Sequence, residues 1–501
     1  MSDTRSRFQY AALFGGPLVA LVTWWVVPTS YAGAEGLPID FAAGRVTLAL
    51  LVWMAIWWLT EAVELSTTAL LPIAVLPLFG AVSAADAASP YSHRLIFLFL
   101  GGFVIALSMQ RWGLDRRIAL NVLRVVGTRP ANMIGGFMLA TAGLSAFISN
   151  TATAAMMLPI ALSVIRLLKE KTGGSGENFG IALMLSIAYA ATIGGMATLI
   201  GTPPNAFLAA FVKDQIAAPY KGEINFARWL LFGAPVSLAL LPFAWWMLTR
   251  ILFPVGDKPI DGAAGMIAEE TGKLGPIKPG EKITLFVFLA AAVAWISGPF
   301  VKKVAIGGVL PFAGLSDPVV AIVAAVLLFS IPVDWKRREF TMNWDTAKEL
   351  PFDILILFGG GMSLAAAVKS TGVAEYIGSQ AGRFAGLPEL ALIVIIVTAV
   401  VYLTELTSNL ATTATLLPVL AALGPGVGVH PYPLIFTATL AASCAFMMPV
   451  ATPPNAIVFG SRMLKLSHMV KAGMWLNIFG IVVIVVVARL LLEMATGVEV
   501  W

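Results

Sequence analysis

The chain has 501 residues, of which 59% are hydrophobic and 12% charged, and its mean hydropathy is +0.88. A soluble protein of this size could not bury so much apolar surface, and apolar runs of about 20 residues, long enough to cross a bilayer, recur throughout. The net charge of +5 comes from basic residues in short loops, which gives no indication of nucleic-acid binding. The single cysteine, Cys444, excludes an intramolecular disulfide. We therefore predict an all-α polytopic membrane protein.

Apolar segments separated by polar loops predict eleven spans and two hairpins. The spans are expected at 10–28, 46–63, 67–84, 94–110, 179–212, 228–253, 283–300, 317–333, 351–369, 433–460 and 473–497. The hairpins are expected at about 131–167 and 387–421, where a long apolar segment contains a polar turn. The first apolar segment follows Arg5 and Arg7 as a signal peptide would, but it is long for one, and we expect a retained span.

Two segments outside the spans have a different composition. Residues 111–129 combine basic and apolar side chains at helical spacing, which predicts an amphipathic helix on the inner membrane surface. Residues 255–281 are polar and rich in glycine and proline, and we interpret them as a linker between two halves.

The positions of lysine and arginine predict the orientation. With the N-terminus inside, 22 of the 32 basic residues lie in cytoplasmic segments, which is the usual bias. The N-terminus is therefore expected in the cytoplasm and the C-terminus outside, in a bacterial inner (plasma) membrane. Five predicted crossings separate the hairpins, and because this number is odd, the hairpins enter from opposite sides. The two halves then form an inverted repeat.

The duplication is visible in short polar motifs. Ser149-Asn150-Thr151 in the first hairpin corresponds to Ser408-Asn409-Leu410 in the second, at an offset of 259 residues. A Thr-Pro-Pro-Asn-Ala tract follows at 202–206 and again at 452–456. One such motif alone would be explained by close helix packing. Paired motifs in an inverted repeat instead indicate a transport site at the repeat interface.

Breaks in a helix at membrane depth expose backbone groups that lipid cannot satisfy. The hairpin turns expose carbonyls that suit a hard cation and amides that suit an anion. The paired prolines forbid a continuous helix, so the spans at 179–212 and 433–460 should be broken as well. Four broken elements would then meet near the middle of the membrane.

Three polar residues near these motifs have alternative interpretations. Glu405 could carry a proton or brace the second hairpin, and bracing is favoured. Asn205 and Asn455 are expected to tie broken helix ends together rather than to contact a ligand. Because few other titratable groups accompany the motifs, a bound anion would be neutralised by co-bound cations, which favours sodium over proton coupling.

The paired hairpin turns, the paired Thr-Pro-Pro-Asn tracts and the repeat layout resemble the divalent-anion/sodium symporter family of dicarboxylate, citrate and sulfate transporters. The resemblance covers nearly the whole chain. It implies a homodimer and an elevator mechanism, with scaffold helices in 1–130 and 283–386, a transport domain in 131–253 and 387–501, and a cytoplasmic linker in 254–282.

The resemblance also assigns site residues. One sodium site would use Ser145, Ser149, Asn150 and Gly201, and the other Thr404, Ser408, Asn409 and Ala451. The substrate would contact Asn150, Thr151, Asn409, Leu410, Thr452 and Pro453. Leu410 is a departure, because dicarboxylate carriers of the family often have threonine there.

The leading hypothesis is a sodium-coupled symporter of C4-dicarboxylates such as succinate, malate or fumarate. A sulfate or citrate carrier and a sodium-independent dicarboxylate exchanger are the alternatives within the family. An enzyme is not expected, because the sequence has no paired histidine motif, phosphate loop or acidic metal cluster. A passive anion channel is a third class, which saturable, cation-driven accumulation would exclude.

Overall fold

The structure, a computed structural model, describes residues 7–32, 38–172, 176–306, 308–381 and 386–501. In the described residues, the first half consists of helices and one pair of short strands. Its helices are α1 Arg7–Val26, α2 Ala42–Thr60, α3 Leu65–Thr68, α4 Leu71–Leu78, α5 Ala84–Ala88, α6 Arg94–Trp112, α7 Leu114–Val126, α8 Pro130–Ser145, α9 Asn150–Thr172, α10 Glu177–Ala197, α11 Pro203–Asp214 and α12 Phe226–Trp246. A 3₁₀ turn, Ser89–Ser92, precedes α6, and a π-helical segment, Met247–Leu252, extends α12. Strands β1 (Ser30–Ala32) and β2 (Pro38–Asp40) pair antiparallel.

The second half repeats much of this order. Its helices are α13 Ala263–Lys273, α14 Pro279–Val301, α15 Asp317–Ser330, α16 Trp344–Ala347, α17 Phe352–Ser370, α18 Val373–Ala381, α19 Glu389–Thr404, α20 Asn409–Gly426, α21 Pro431–Ser443, α22 Pro453–Gly460 and α23 Leu466–Thr496. Strands β3 (Pro332–Asp334) and β4 (Glu339–Phe340) form a second short antiparallel pair.

The length and apolar composition of the helices are those of a membrane protein. In the part of the chain that is described, nine helices are long and apolar enough to cross a bilayer. Every predicted span contains helix, but those at 67–84 and 317–333 hold only the shorter apolar helices Leu65–Leu78 and Asp317–Ser330. Prolines explain the first of these, since Pro72 and Pro77 fall within its eight-residue helix α4.

The predicted breaks and hairpin turns are present. The span at 179–212 is divided into α10 and α11 by residues 198–202, which we call the first break. The span at 433–460 is divided into α21 and α22 by residues 444–452, the second break. Each hairpin turns between two helices, at residues 146–149 in the first and 405–408 in the second. In both breaks the threonine of the tract is the N-cap and the two prolines occupy the first helical turn, where a missing amide costs nothing.

The repeat determines how the two units pack. The first unit comprises 94–252 and the second 352–496. Helix α10 lies at the centre. In its most apolar stretch of 18 residues, 100% of the residues are buried, compared with 17% in α1 and 28% in α14. The two short half-helices cross over: α11 packs against α20 and α21 of the second unit, and α22 packs against α9 and α10 of the first. Both breaks therefore lie between the two hairpins.

The predicted amphipathic helix is α7, which buries Leu114, Leu120 and Leu123. The linker has more structure than its composition indicated, because it contains α13, which packs on α7. Arg116 pairs with Glu270 at 2.6 Å, and Arg117 pairs with the buried Glu281. The linker is thus anchored to the helix that leads into the first hairpin.

Candidate functional site

A cluster of oxygen atoms lies at the turn of the first hairpin. Ser145, the last residue of α8, is fully buried, and its Oγ lies 2.6 Å from Asn150 Oδ1 and 2.7 Å from the carbonyl oxygen of Ala191 on α10. A serine hydroxyl has one proton, so it cannot donate to both acceptors at once. Three oxygens that converge with at most one proton between them form a suitable environment for a hard cation.

The second hairpin repeats this geometry. Thr404 ends α19 and is fully buried, and its Oγ1 lies 3.0 Å from Asn409 Oδ1 and 2.6 Å from the carbonyl oxygen of Ala442 on α21. The two clusters use equivalent positions of the repeat. Agreement between two units with different local sequence indicates that the cluster is a feature of the fold.

The first break closes against the first hairpin through small residues. A Cβ atom on Gly201 would lie 2.5 Å from the carbonyl oxygen of Gly195 and 3.0 Å from that of Ala146, so only glycine fits there. A Cβ on Gly195 would lie 2.7 Å from Asn150 Oδ1. Thr198 donates its hydroxyl to the Ala146 carbonyl and accepts from the Gly201 amide at 3.1 Å.

The tract asparagines hold the breaks together. Asn205 Nδ2 donates to the carbonyls of Gly195 at 3.1 Å and Thr198 at 2.7 Å. Asn455 Nδ2 donates to the carbonyls of Ala445 at 3.1 Å and Met448 at 3.0 Å. Both side chains are fully buried behind the breaks, which confirms the prediction that they tie broken helix ends together.

A cavity of about 900 Å³ lies between the two hairpins and the two breaks. It is lined by all six predicted substrate residues: Asn150, Thr151, Asn409, Leu410, Thr452 and Pro453. Of the predicted cation ligands, Ser149, Asn150, Gly201, Ser408, Asn409 and Ala451 also line it. Ser145 and Thr404 do not, because they are fully buried behind the hairpin turns.

Leu410 is 4% exposed and contributes an apolar wall at the second turn. The corresponding Thr151 at the first turn is exposed to the cavity. The cavity is therefore asymmetric at the one position where the two motifs differ.

The remaining wall of the cavity comes from residues that the sequence did not single out. They include Glu61 after α2, Gln110 near the end of α6, Glu349 shortly before α17 and Asp353 in its first turn. No lysine, arginine or histidine lines the cavity among the described residues. The acidic residues belong to no motif that is repeated in the chain, so the sequence held no signal for them.

In the described ranges no three His, Cys, Asp or Glu side chains converge as a metal site. A cation bound here would therefore be held by hydroxyl, amide and carbonyl oxygens. That donor set fits a hard monovalent ion and excludes thiolate or imidazole coordination at the two clusters.

A duplicated unit with broken helices around a central cavity is typical of secondary transporters. Residues 15–495 match the family described as the sodium:sulfate symporter transmembrane region, and the chain belongs to this family. It is an integral membrane protein.

Two similar proteins are both called sodium-dependent dicarboxylate transporter SdcS. That of Staphylococcus saprophyticus is 38% identical over 499 residues, covering 98% of this chain and 93% of the relative. That of Staphylococcus aureus (strain bovine RF122) is 37% identical over 502 residues, covering 99% and 93%.

Two solved structures share the fold. MtrF of Neisseria gonorrhoeae aligns with a TM-score of 0.59 at 12% identity, covering 97% of this chain and 95% of MtrF. The YdaH transporter of Alcanivorax borkumensis aligns with a TM-score of 0.59 at 11% identity, covering 97% and 98%. At this identity the likeness concerns the fold alone.

Proposed function

We propose that this protein is a secondary active transporter that carries C4-dicarboxylates such as succinate, malate or fumarate together with sodium ions. The observation that carries the proposal is the pair of matching oxygen clusters beside a cavity that no basic side chain lines in the described chain. A dianion in such a cavity needs positive charge from elsewhere, because burying an uncompensated charge is costly. Sodium ions at the two clusters would supply it.

Each group would then have a definite role. The first sodium ion would be held by Ser145, Ser149, Asn150 and Gly201, and the second by Thr404, Ser408, Asn409 and Ala451. The dicarboxylate would lie between them, in contact with Asn150, Thr151, Asn409, Leu410, Thr452 and Pro453. Sodium would bind first, because it completes the positive field that the dianion requires.

Movement of the site across the membrane would follow an elevator mechanism. The moving part would comprise 131–253 and 387–501, and the scaffold 1–130 and 283–386, joined by the linker 254–282. We further propose eleven transmembrane helices and two re-entrant hairpins, with the N-terminus in the bacterial cytoplasm and the C-terminus outside, in a homodimer. The anchoring of the linker to α7 supports a fixed connection between the halves. We propose no enzymatic activity.

The test is uptake of labelled succinate by proteoliposomes of the purified protein, with an inward sodium gradient or with choline in place of sodium. Accumulation only with sodium, reduced by malate but not by sulfate or citrate, is expected. Uptake that is independent of sodium but requires internal dicarboxylate would show that the protein is an exchanger, and the proposed cation sites would be wrong.

Leu410 favours a second candidate, a sulfate or citrate carrier. The apolar wall removes a hydroxyl donor from the cavity, and the family description itself names sulfate. Sodium-driven uptake of labelled sulfate or citrate, unaffected by succinate, would establish this candidate in place of the first.

A further inference from the structure

Glu405 is a buried carboxylate with an unusual set of partners. It directly follows Thr404 of the second oxygen cluster and is 4% exposed. Its Oε1 accepts hydrogen bonds from the amides of Phe446 at 2.8 Å and Met447 at 2.9 Å, and its Oε2 from Met447 at 2.9 Å and Met448 at 3.0 Å. Three successive backbone amides therefore point at one side chain.

A fourth donor comes from the last helix. Asn477 on α23 is fully buried, and its Nδ2 donates to Glu405 Oε1 at 2.7 Å. Glu405 thus connects the second hairpin, the second break and α23. Met447 and Met448 belong to the second break, which also contains Ala451, a proposed ligand of the second cation.

The first unit makes the same connection without a charge. The repeat offset places Ala146 at the position of Glu405, since 405 − 259 = 146. There the backbone carbonyl of Ala146 accepts from the hydroxyl of Thr198, and 198 + 250 = 448 is Met448. A neutral hydroxyl–carbonyl contact in one unit is therefore replaced by a carboxylate and three amides in the other.

The charge of Glu405 has no basic partner among the described residues, since all its neighbours in hydrogen bonding are neutral. Both of its oxygens accept N–H donors, and hydrogen bonds to a carboxylate favour its ionised form. Buried charges in proteins are paired or lie beside a metal ion. The nearest proposed cation is the one bound next to Thr404.

We propose that Glu405, held by Asn477, is a positioning residue for the second sodium site, and that its charge makes this site bind sodium more tightly than the first. The inference rests on the proposed function. Glu405 fixes the backbone of the break through three of its amides, and the same break carries Ala451, the proposed ligand of the second cation. It also supplies a buried negative charge that Ala146 does not provide at the first site.

The experiment measures the sodium concentration for half-maximal succinate uptake in proteoliposomes, together with the maximal rate at saturating sodium. Glu405→Gln should raise this concentration about tenfold, because it removes the negative charge of the residue next to Thr404 and two accepted hydrogen bonds. Glu405→Asp should restore part of the affinity. Asn477→Ala should raise the concentration about threefold, because the carboxylate keeps its three amides.

The matched control is Glu389→Gln, which removes a carboxylate at the other end of α19 and should leave the sodium dependence unchanged. A second readout is thermal unfolding in detergent, without substrate. Sodium should stabilise the parent protein and stabilise Glu405→Gln much less. If Glu405→Gln does not fold, Glu405→Asp and Asn477→Ala provide the same comparison.

The outcomes separate the two proposals. A purely structural brace would lower the unfolding temperature without sodium and leave the half-maximal sodium concentration unchanged, which would overturn the inference alone. If Glu405 only carried a proton, Glu405→Gln would lower the maximal rate and leave the half-maximal sodium concentration unchanged, which would also overturn the inference. If succinate uptake by the parent protein were independent of sodium, the proposed function itself would be overturned.

Discussion

Asn150 and Asn409 occupy the same position in the two units and make the same contact. Each begins the second helix of its hairpin and places Oδ1 near a buried hydroxyl, at 2.6 Å from Ser145 and 3.0 Å from Thr404. Both residues also line the central cavity. One side chain can therefore serve a cation through its oxygen while the adjacent helix N-terminus faces an anion.

Asn150→Ala and Asn409→Ala should each lower sodium-driven uptake by about 10- to 100-fold, which corresponds to the loss of one hydrogen-bonding ligand to a charged group. Uptake is measured per amount of reconstituted protein. Asn132→Ala is the matched control, because Asn132 is an exposed asparagine in the first arm of the same hairpin. Sodium-driven uptake at the parent rate in either variant would show that the replaced asparagine is not part of the site.

The apolar side chain of Leu410 distinguishes the second hairpin turn from the first. Leu410→Thr should increase the preference for dicarboxylates over sulfate and citrate by about tenfold, because a hydroxyl donor returns to the cavity wall. Competition by each anion against labelled succinate measures this preference. Leu406→Thr is the control, since Leu406 is 65% exposed and does not line the cavity. An unchanged preference in Leu410→Thr would mean that the bound substrate does not reach position 410.

At the scale of elements, the hairpins and breaks were predictable because each interrupts an apolar segment with polar residues or paired prolines, and each occurs twice. The carbonyls of Ala191 and Ala442 were not predictable, because a backbone oxygen of an apolar helix leaves no pattern in the side chains. The acidic residues of the cavity, such as Asp353, also escaped prediction, because their segments approach the hairpins only in the folded chain.

Close packing of the first break against the hairpin depends on glycine. Gly201→Ala would place a Cβ 2.5 Å from the Gly195 carbonyl, and backbone atoms on both sides would have to separate. The expected cost is about 1–3 kcal/mol of stability, the range for overpacking. The half-maximal sodium concentration should rise about tenfold, since that energy is lost mainly at the site.

Gly143→Ala provides the comparison. Gly143 lies in α8 of the same hairpin, and a Cβ there would meet no atom within 4 Å. This variant should keep parent stability and sodium dependence, measured by thermal unfolding in detergent and by uptake. Equal behaviour of the two alanine variants would mean that the close approach at Gly201 is not needed for the site.

At the scale of the whole molecule, the cavity and a set of polar side-chain contacts lie at opposite ends of α6. The cavity extends to Glu61, Gln110 and Glu349, on the side that we propose faces the cytoplasm. At the other ends of the same helices, His93 Nε2 lies 2.5 Å from Asp214 at the end of α11. In the elevator mechanism that we propose, this arrangement would be the state that is open to the cytoplasm and closed on the other side.

Two further contacts join the proposed scaffold to the proposed moving part at this closed end. Arg94 lies 3.6 Å from Glu223, and Lys369 donates to the carbonyl of Asp214 at 3.0 Å. A hydrogen bond from Lys213 lowers the pKa of Glu223 below its ordinary value, so this carboxylate is charged at neutral pH. An elevator movement of α11 past α6 and α17 would have to break these contacts.

The double variant Asp214→Asn, Glu223→Gln should therefore populate the outward-open state more often. Partly exposed ion pairs contribute about 0.2–1 kcal/mol each, so the loss of two such contacts should raise the population about two- to thirtyfold. Ala155, which lines the cavity, is replaced by cysteine in a Cys444→Ala background, and a membrane-impermeant thiol reagent is added outside. The labelling rate reports the outward-open fraction and should rise by the same factor.

Asp345→Asn, which removes the surface pair with Lys348, is the control. Equal labelling rates in the double variant and the control would mean that the pairs at the closed end do not hold the transporter in the observed state.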